Sequence, residues 1–203
     1  MKSILLISLS LLIFTSKAAL AADESPYESF FTKKQKIDAD GTELYKSNYE
    51  MKQHKRIGAG LAMGGVSGVM GINAEINLAP AETLVIGMGT GPSYGTFNLQ
   101  GKYNFEAMYL TPFVKAGYSK WFSSGSIPST AATSDTLRQV YSDRDLRAGK
   151  FDASFAVASI GAEYNQLEGE LSGLNFYGEF TILAEVRTAS VIPSGAVGVI
   201  YFY

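Results

Sequence analysis

The chain of 203 residues contains no cysteine, one histidine and one tryptophan. The lack of cysteine excludes a disulfide framework and a thiolate metal site. Charged residues are also scarce, at 18% of the sequence against about 25% in typical soluble domains. A net charge of −2 gives no electrostatic basis for binding nucleic acid. By contrast, glycine (21), phenylalanine (12) and tyrosine (12) are abundant, and the length suits one domain with an appendage.

A secretory signal peptide is predicted over residues 1–21. Lys2 supplies a positive charge, residues 4–15 are a nearly unbroken apolar run, and Ala19 and Ala21 are the small residues that a signal peptidase reads. The alternative is a membrane anchor helix, but about 12 apolar residues are too few to cross a hydrocarbon core that needs roughly 20. The pattern therefore favours a secretory signal.

The charged residues divide the rest of the chain. Residues 22–55 hold 13 charged side chains in 34 positions, and residues 123–150 hold 7 in 28. The other 120 positions, 56–122 and 151–203, hold only 14. Fourteen charged side chains are too few to cover the outside of a soluble β domain of that size. Because the sequence offers no membrane-spanning helix, the structure that satisfies its backbone hydrogen bonds in lipid is a closed β-barrel.

Alternation of polar and apolar residues predicts eight strands over residues 56–203. Within residues 72–78, for example, every second side chain is apolar and the others are Asn73, Glu75 and Asn77. The predicted fold is all-β, an eight-stranded antiparallel up-and-down transmembrane β-barrel with apolar side chains outward and hydrophilic ones inward. It follows a short periplasmic N-terminal segment, 22–55. The predicted strands are 56–65, 72–78, 82–90, 96–105, 108–122, 152–164, 174–185 and 195–203.

The lengths of the predicted connections fit an outer-membrane barrel, which has long external loops and short periplasmic turns. With both ends of the barrel in the periplasm, the fifth connection, 123–150, and the seventh, 186–194, are external and long. The second, 79–82, and the fourth, near residue 106, are short. The expected location is therefore the bacterial cell outer membrane.

The alternation places seven charged side chains in the lumen: Arg56, Glu75, Lys102, Lys115, Glu163, Glu179 and Glu185. An eight-stranded barrel has room inside only for side chains. Because an unpaired buried charge costs several kcal/mol, these three bases and four acids are expected to pair. The prediction is a charge-plugged lumen without an open diffusion pore. The alternative is that some of these residues lie at the rims and are solvated.

No catalytic, cofactor-binding or metal site is predicted. The single histidine, His54, precedes the first strand beside two lysines and is expected to be a solvated linker residue. The glycines at 58–60 and 87–91 lack the Gly-Lys-Ser/Thr that completes a phosphate-binding loop. The acidic run at 38–43 lacks the spacing of a calcium loop.

Two segments outside the strands are candidates for binding an unidentified periplasmic or extracellular partner. In 22–55, a capping-box pattern at residues 25–28 predicts a short helix from 26 to about 37, with disorder as the alternative. In 123–150, apolar residues between 137 and 141 have helical spacing and predict one short helical turn or a longer hairpin. A solvated loop without function is the alternative there.

Three stretches carry a family resemblance: Gly161-Ala162-Glu163-Tyr164, residues 112–118, and the C-terminal series Val197, Val199, Tyr201 and Tyr203. In these the chain resembles the small bacterial outer-membrane β-barrel family, the eight-stranded OmpA/OmpX-like group, over residues 56–203. The resemblance implies that outer-membrane lipid surrounds the barrel. It also implies that the C-terminal series is the signal read by the barrel assembly machinery, with tyrosine where phenylalanine is commoner. A soluble lipocalin-like barrel, with its apolar face inward, is the structural alternative.

The expected function is that of a non-enzymatic outer-membrane β-barrel with a structural or surface-interaction role. A narrow channel for small solutes is the main alternative. A lipid-modifying outer-membrane enzyme and a soluble periplasmic ligand-binding barrel are less favoured, the enzyme because the sequence has no histidine near the predicted outer rim.

Overall fold

The computed structural model describes residues 44–124, 134–149 and 151–203. The predicted signal peptide, 1–21, and the predicted helix at 26–37 lie outside the described residues. Within the part that is described, no helix is long and apolar enough to cross a membrane.

The described residues form eight strands, three short α-helices and one 3₁₀ turn. The strands are β1 (Ile57–Gly64), β2 (Met70–Asn77), β3 (Glu82–Gly91), β4 (Tyr94–Asn104), β5 (Leu110–Ser123), β6 (Asp152–Asn165), β7 (Leu174–Glu185) and β8 (Val191–Phe202). The helices are α1 (Asn48–His54), α2 (Asp135–Arg138) and α3 (Asp143–Arg147), and the 3₁₀ turn is Gly65–Ser67.

The eight strands form one closed barrel in chain order, β1 to β8. Each strand pairs antiparallel with the next, and β8 closes the sheet on β1, with Gly60 opposite Ile200. The predicted fold class, an eight-stranded antiparallel up-and-down β-barrel, is confirmed. The main difference in strand bounds is that β8 begins at Val191 rather than at 195, so the seventh connection is shorter than predicted.

The side chains that face outward from the strands are almost all apolar, as the alternation predicts. Leu61, Ile72 and Ile160 are 60%, 61% and 62% exposed. The outward-facing charged side chains of the described strands lie at or near strand ends: Glu82, Lys120 and Asp152. A soluble lipocalin-like barrel has the opposite arrangement, with its apolar side chains inside.

The two ends of the barrel differ, and we name them by what lies there. The terminal end holds α1, Tyr203 and the second, fourth and sixth connections. The loop end holds the 3₁₀ turn, the tight third connection at 92–93, the fifth connection with α2 and α3, and the seventh connection.

The lumen is not polar throughout. Its terminal half mixes charged and amide side chains with aromatic rings, whereas its loop half is filled by buried apolar side chains. The expectation of hydrophilic side chains along the whole interior is therefore wrong for the loop half. Residues 155–158 show the reason, since they are apolar on both faces of β6 and alternation there does not indicate which side chains face the lumen. The apolar cluster comprises Val66, Tyr94, Trp121, Leu137, Leu146, Phe151, Ala153, Phe155, Val157, Leu183 and Ile192.

α1 is held at the terminal end by hydrogen bonds to the connection between β4 and β5. Ser47 caps the helix by accepting a hydrogen bond from the Glu50 amide, which satisfies one of its free N–H groups. The Asn48 backbone N–H donates to the Ala107 carbonyl at 3.0 Å. The Ala107 amide returns a hydrogen bond to Asn48 Oδ1 at 2.9 Å. This reciprocal pair of hydrogen bonds fixes α1 over the mouth of the barrel. The side chains of Met51 and Lys52, which are 0% and 1% exposed, then point into the lumen.

Candidate functional site

The site that the sequence predicts is the charged interior of the barrel. Lys102 on β4 lies between two carboxylates from other strands. Its Nζ is 3.0 Å from Glu75 Oε2 on β2 and 2.5 Å from Glu163 Oε2 on β6. All three side chains are at most 1% exposed. Their positions follow from period-two alternation, since each faces inward from its own strand.

A second lysine, Lys52, joins this cluster from α1. Its Nζ lies 2.5 Å from Glu163 Oε1 and donates to Asn104 Oδ1 at 2.8 Å. Sequence reasoning missed this residue because it assigned residues 22–55 to a separate periplasmic segment. Burial lowers the pKa of Lys52 to about 8, with the Glu163 carboxylate acting in the opposite direction. The lysine is therefore mostly protonated at neutral pH.

Lys115 and Glu179 form a second ion pair, deeper in the lumen. Lys115 Nζ is 2.7 Å from Glu179 Oε2, and both side chains are 2% exposed. The Phe113 ring lies near both lysines, with Lys102 Nζ 4.7 Å and Lys115 Nζ 4.9 Å from its centroid. Lys115 Nζ also lies 4.7 Å from the centroid of the Tyr177 ring. Aromatic faces stabilise ammonium groups, so Phe113 contacts a lysine of each ion cluster.

Two of the seven predicted lumen residues take no part in these ion pairs. Arg56 precedes β1 and is exposed at the terminal rim, where its Nε donates to the Gln53 carbonyl. Its predicted place in the lumen is wrong because alternation loses its meaning beyond the end of the strand. Glu185 faces inward and is 2% exposed, but it ends β7. Its carboxylate accepts hydrogen bonds from the backbone amides of Arg187 and Thr188, so it stabilises the seventh connection rather than a lysine.

Uncharged polar side chains occupy the middle of the lumen. Asn73, Asn98 and Gln100 are buried, and each has at least one side-chain polar atom without a hydrogen bond to the protein. They have room because β3 carries Gly87 beside them, where a Cβ atom would come within 2.2 Å of Asn73 Oδ1. Buried polar groups of this kind usually bind water.

The loop end is closed by an apolar seal. Leu137 on α2 and Leu146 on α3 are 0% and 1% exposed and belong to the same cluster as Trp121. The Trp121 and Tyr94 rings stack at 5.1 Å with an angle of 5° between their planes. α2 ends at Arg138, so the helical turn lies earlier than the spacing within residues 137–141 predicts, and of those apolar residues it contains Leu137. Val140 and Tyr141 follow the helix and pack, partly buried, against the same cluster.

A glycine-rich turn completes that seal from within. Val66 and Ser67 are buried, because the first connection folds into the lumen instead of projecting from it. Three glycines with positive φ permit this path: Gly64 at 83°, Gly65 at 55° and Gly68 at 73°. Outside the seal, Gly65, Gly68, Ser134 and Asp135 line a cleft of about 300 Å³.

The predicted assembly residues lie along the outer face of the closing strand. Val197, Val199 and Tyr201 face outward from β8, and Tyr203 follows the strand at the terminal end with 55% of its surface exposed. β8 is the strand that closes the sheet against β1.

His54 ends α1, where its Nδ1 is 2.8 Å from the Glu50 carbonyl and its ring lies 5.6 Å from that of Tyr45. Within the described ranges, no group of three histidine or acidic side chains has the geometry to hold a metal ion.

Comparison with known proteins identifies similar folds and no family. No protein-family model matches the chain, and no curated protein matches it by sequence. The chain is similar to the solved N-terminal β-barrel domain of Pseudomonas aeruginosa OprF, with 12% identity, 72% of this chain and 98% of that chain covered, and a TM-score of 0.48. It is also similar to Neisserial surface protein A, with 12% identity, coverage of 73% and 95%, and a TM-score of 0.42. For Ail of Yersinia pestis the identity is 8%, the coverage 73% and 97%, and the TM-score 0.39.

Proposed function

We propose that this protein is a non-enzymatic barrel of the bacterial outer membrane, with a structural or surface-interaction role and a lumen that does not conduct. The observation that carries the proposal is the apolar outer face of the closed barrel. Exposed aliphatic side chains extend over the strands, and the outward-facing charges of the described strands are restricted to strand ends. An apolar surface of this kind suits the hydrocarbon of a membrane. A closed barrel also pairs the backbone N–H and C=O groups of its strands with one another, which a lipid environment requires.

Aromatic side chains at the terminal end support the membrane placement. Tyr109 and Tyr164 stack with ring centroids 6.3 Å apart, and Tyr103 and Phe105 meet edge to face at 5.4 Å. Each of these four residues is at least one-third exposed. Tyrosine and phenylalanine at the rim of a barrel form the girdle that lies at a membrane interface. We assign the terminal end to the periplasm and the loop end to the outside.

Two matched substitutions test whether the apolar outer face of the barrel contacts lipid. Ile160 near the middle of β6 and Val191 at the loop end of β8 are 62% and 63% exposed. An arginine at the bilayer midplane costs about 2–4 kcal/mol and one near the interface about 0–1. We therefore expect Ile160→Arg to reduce folding into lipid vesicles strongly and Val191→Arg to reduce it little. Equal, small effects of the two substitutions contradict the membrane placement.

Fractionation of cells provides the direct test of location. The protein is expected in the outer-membrane pellet, and an unboiled sample is expected to migrate differently from a boiled one, because the barrel stays folded in detergent. Recovery in the soluble periplasmic fraction contradicts the proposal.

The absence of conduction is proposed from the two closed ends and the three lysines paired with glutamates in the lumen. Single-channel recording in planar bilayers is expected to show no steady current. A narrow channel for small solutes is the second candidate, and the amide side chains of Asn73, Asn98 and Gln100 in mid-lumen favour it. Steady conductance of porin size contradicts a closed lumen and supports that candidate.

The surface-interaction role is proposed for the loop end, where the cleft beside Ser134 and Asp135 is open to the outside. A lipid-modifying activity is the less favoured alternative. It predicts altered lipid A or phospholipid when the protein is overexpressed, and mass spectrometry of the extracted lipids is expected to show no such change.

A further inference from the structure

We propose that the terminal end of the lumen is a binding site for a primary ammonium group, which the chain fills with its own Lys52. The Lys52 ammonium donates to Glu163 Oε1 and Asn104 Oδ1. It also lies 5.6 Å from the centroid of the Phe202 ring. A carboxylate, an amide oxygen and an aromatic face are the groups that recognise an ammonium ion.

The charges of the lumen show why this site needs a cation. The strands contribute two lysines to the ion pairs, Lys102 and Lys115, and three glutamates, Glu75, Glu163 and Glu179. Without α1 the paired groups therefore carry a net charge of −1, and Lys52 makes them neutral. Burying an uncompensated charge is costly in a low-dielectric interior, so the ammonium of Lys52 completes the barrel electrostatically.

Lys55 does not provide this cation. It is also buried, but its Nζ donates to the Ser172 carbonyl at 2.7 Å and lies 5.8 Å from the Tyr201 ring. Tyr201 faces outward from β8 at its terminal end, so this contact places the Lys55 ammonium at the rim of the mouth.

α1 has contacts that do not depend on the Lys52 charge. The reciprocal hydrogen bonds between Asn48 and Ala107 hold its first turn. Tyr49 donates to the Asn104 carbonyl at 2.8 Å, and Met51 is fully buried in an apolar cluster with Phe113 and Phe202. The helix is therefore expected to stay near the mouth when Lys52 is replaced, and the charge can be tested separately from the docking.

A charge cycle provides the first experiment, on the full-length chain folded in detergent. K52M leaves the paired groups at −1, E163Q leaves them at +1, and the K52M/E163Q double variant restores neutrality. We expect each single variant to lower the urea midpoint, which is the urea concentration at which half of the protein has lost the folded band seen in unboiled samples. The double variant is expected to lose clearly less than the sum of the two single losses. Additive losses overturn the proposal, because they show that Lys52 acts only through packing.

Chemical rescue provides the second experiment and identifies the ligand class. K52A removes the side chain beyond Cβ but keeps a good helix former, and n-propylammonium chloride replaces the three missing carbons and the charge. We expect n-propylammonium to raise the urea midpoint of K52A toward that of the wild type. n-Propanol and tetramethylammonium are expected to have no such effect, and the wild type is expected not to respond to n-propylammonium.

Equal effects of n-propanol and n-propylammonium, or an equal response of the wild type, overturn the proposal. If K52A does not fold alone, folding in n-propylammonium but not in n-propanol supports the site, and failure to fold in both overturns it. Neither experiment depends on the membrane location or on conduction, so failure of the proposed function leaves both results interpretable.

Discussion

The two ends of the barrel are closed by different physical means. At the terminal end, α1 inserts Lys52 into a network of lysines and glutamates whose members come from distant parts of the chain. At the loop end, Leu137 and Leu146 belong to a cluster of buried apolar side chains that includes a stacked pair of aromatic rings. The terminal seal depends on charge balance and the loop seal on apolar burial. The two ends should therefore respond to different perturbations.

Removal of Lys102 is expected to have the largest effect, at the terminal end. Lys102→Met leaves Glu75 without a lysine partner and Glu163 with Lys52 alone, and breaking a buried ion pair by removing one partner costs about 3–5 kcal/mol. Urea unfolding of the detergent-folded barrel, followed by the shift of the unboiled band, measures the loss.

The matched control is Lys120→Met on the outside of the same barrel. Lys120 lies 3.3 Å from Asp152, with 43% and 53% of the two side chains exposed. Pairs of this kind contribute roughly 0–1 kcal/mol. If both lysine substitutions cost the same, the terminal seal does not depend on buried charge.

The loop seal is expected to weaken by about 2–4 kcal/mol on Leu137→Ala, the cost of a large-to-small change in a packed cluster. The change is expected to release α2 and α3 while the barrel stays closed. Trp121 is the only tryptophan in the sequence and is 1% exposed, so its fluorescence reports on this seal alone. A red-shifted emission and faster quenching by acrylamide are the expected signals.

Leu171→Ala is the control for the loop seal, because Leu171 is 61% exposed on the sixth connection, at the opposite end. Its replacement is expected to leave the tryptophan signal unchanged. An unchanged signal in Leu137→Ala as well means that the helices of the fifth connection do not protect Trp121.

The sequence predicted the wall of the barrel well because alternation is a local property. The strand 174–185 has the predicted bounds, and Lys102, Lys115, Glu75, Glu163 and Glu179 all face the lumen. Such facing follows from the position of a residue within its own strand, with no knowledge of its neighbours.

The seals were harder to predict because they depend on contacts between distant segments. Lys52 lies 111 positions from Glu163, and nothing in the sequence of α1 indicates that its lysine enters a lumen. The inward turn at Gly64, Gly65 and Gly68 was not predicted, because a glycine permits a positive φ without showing which way the chain then turns. Arg56 shows the complementary error, since alternation was extended one residue beyond the strand.

The inward turn at the loop end is expected to tolerate no side chain at position 68. Gly68 has a φ of 73°, and a Cβ atom there would lie 2.8 Å from the Tyr94 ring. Gly68→Ala is expected to cost about 2 kcal/mol through backbone strain and to disturb the stacking of Tyr94 on Trp121. Near-ultraviolet circular dichroism and the urea midpoint measure the two effects.

Gly178→Ala is the control for this turn, because a Cβ atom at position 178 would have no other atom within 4 Å. It is expected to be neutral. If Gly68→Ala is also neutral, neither the positive φ at position 68 nor the contact with the Tyr94 ring restricts which residue the turn accepts there.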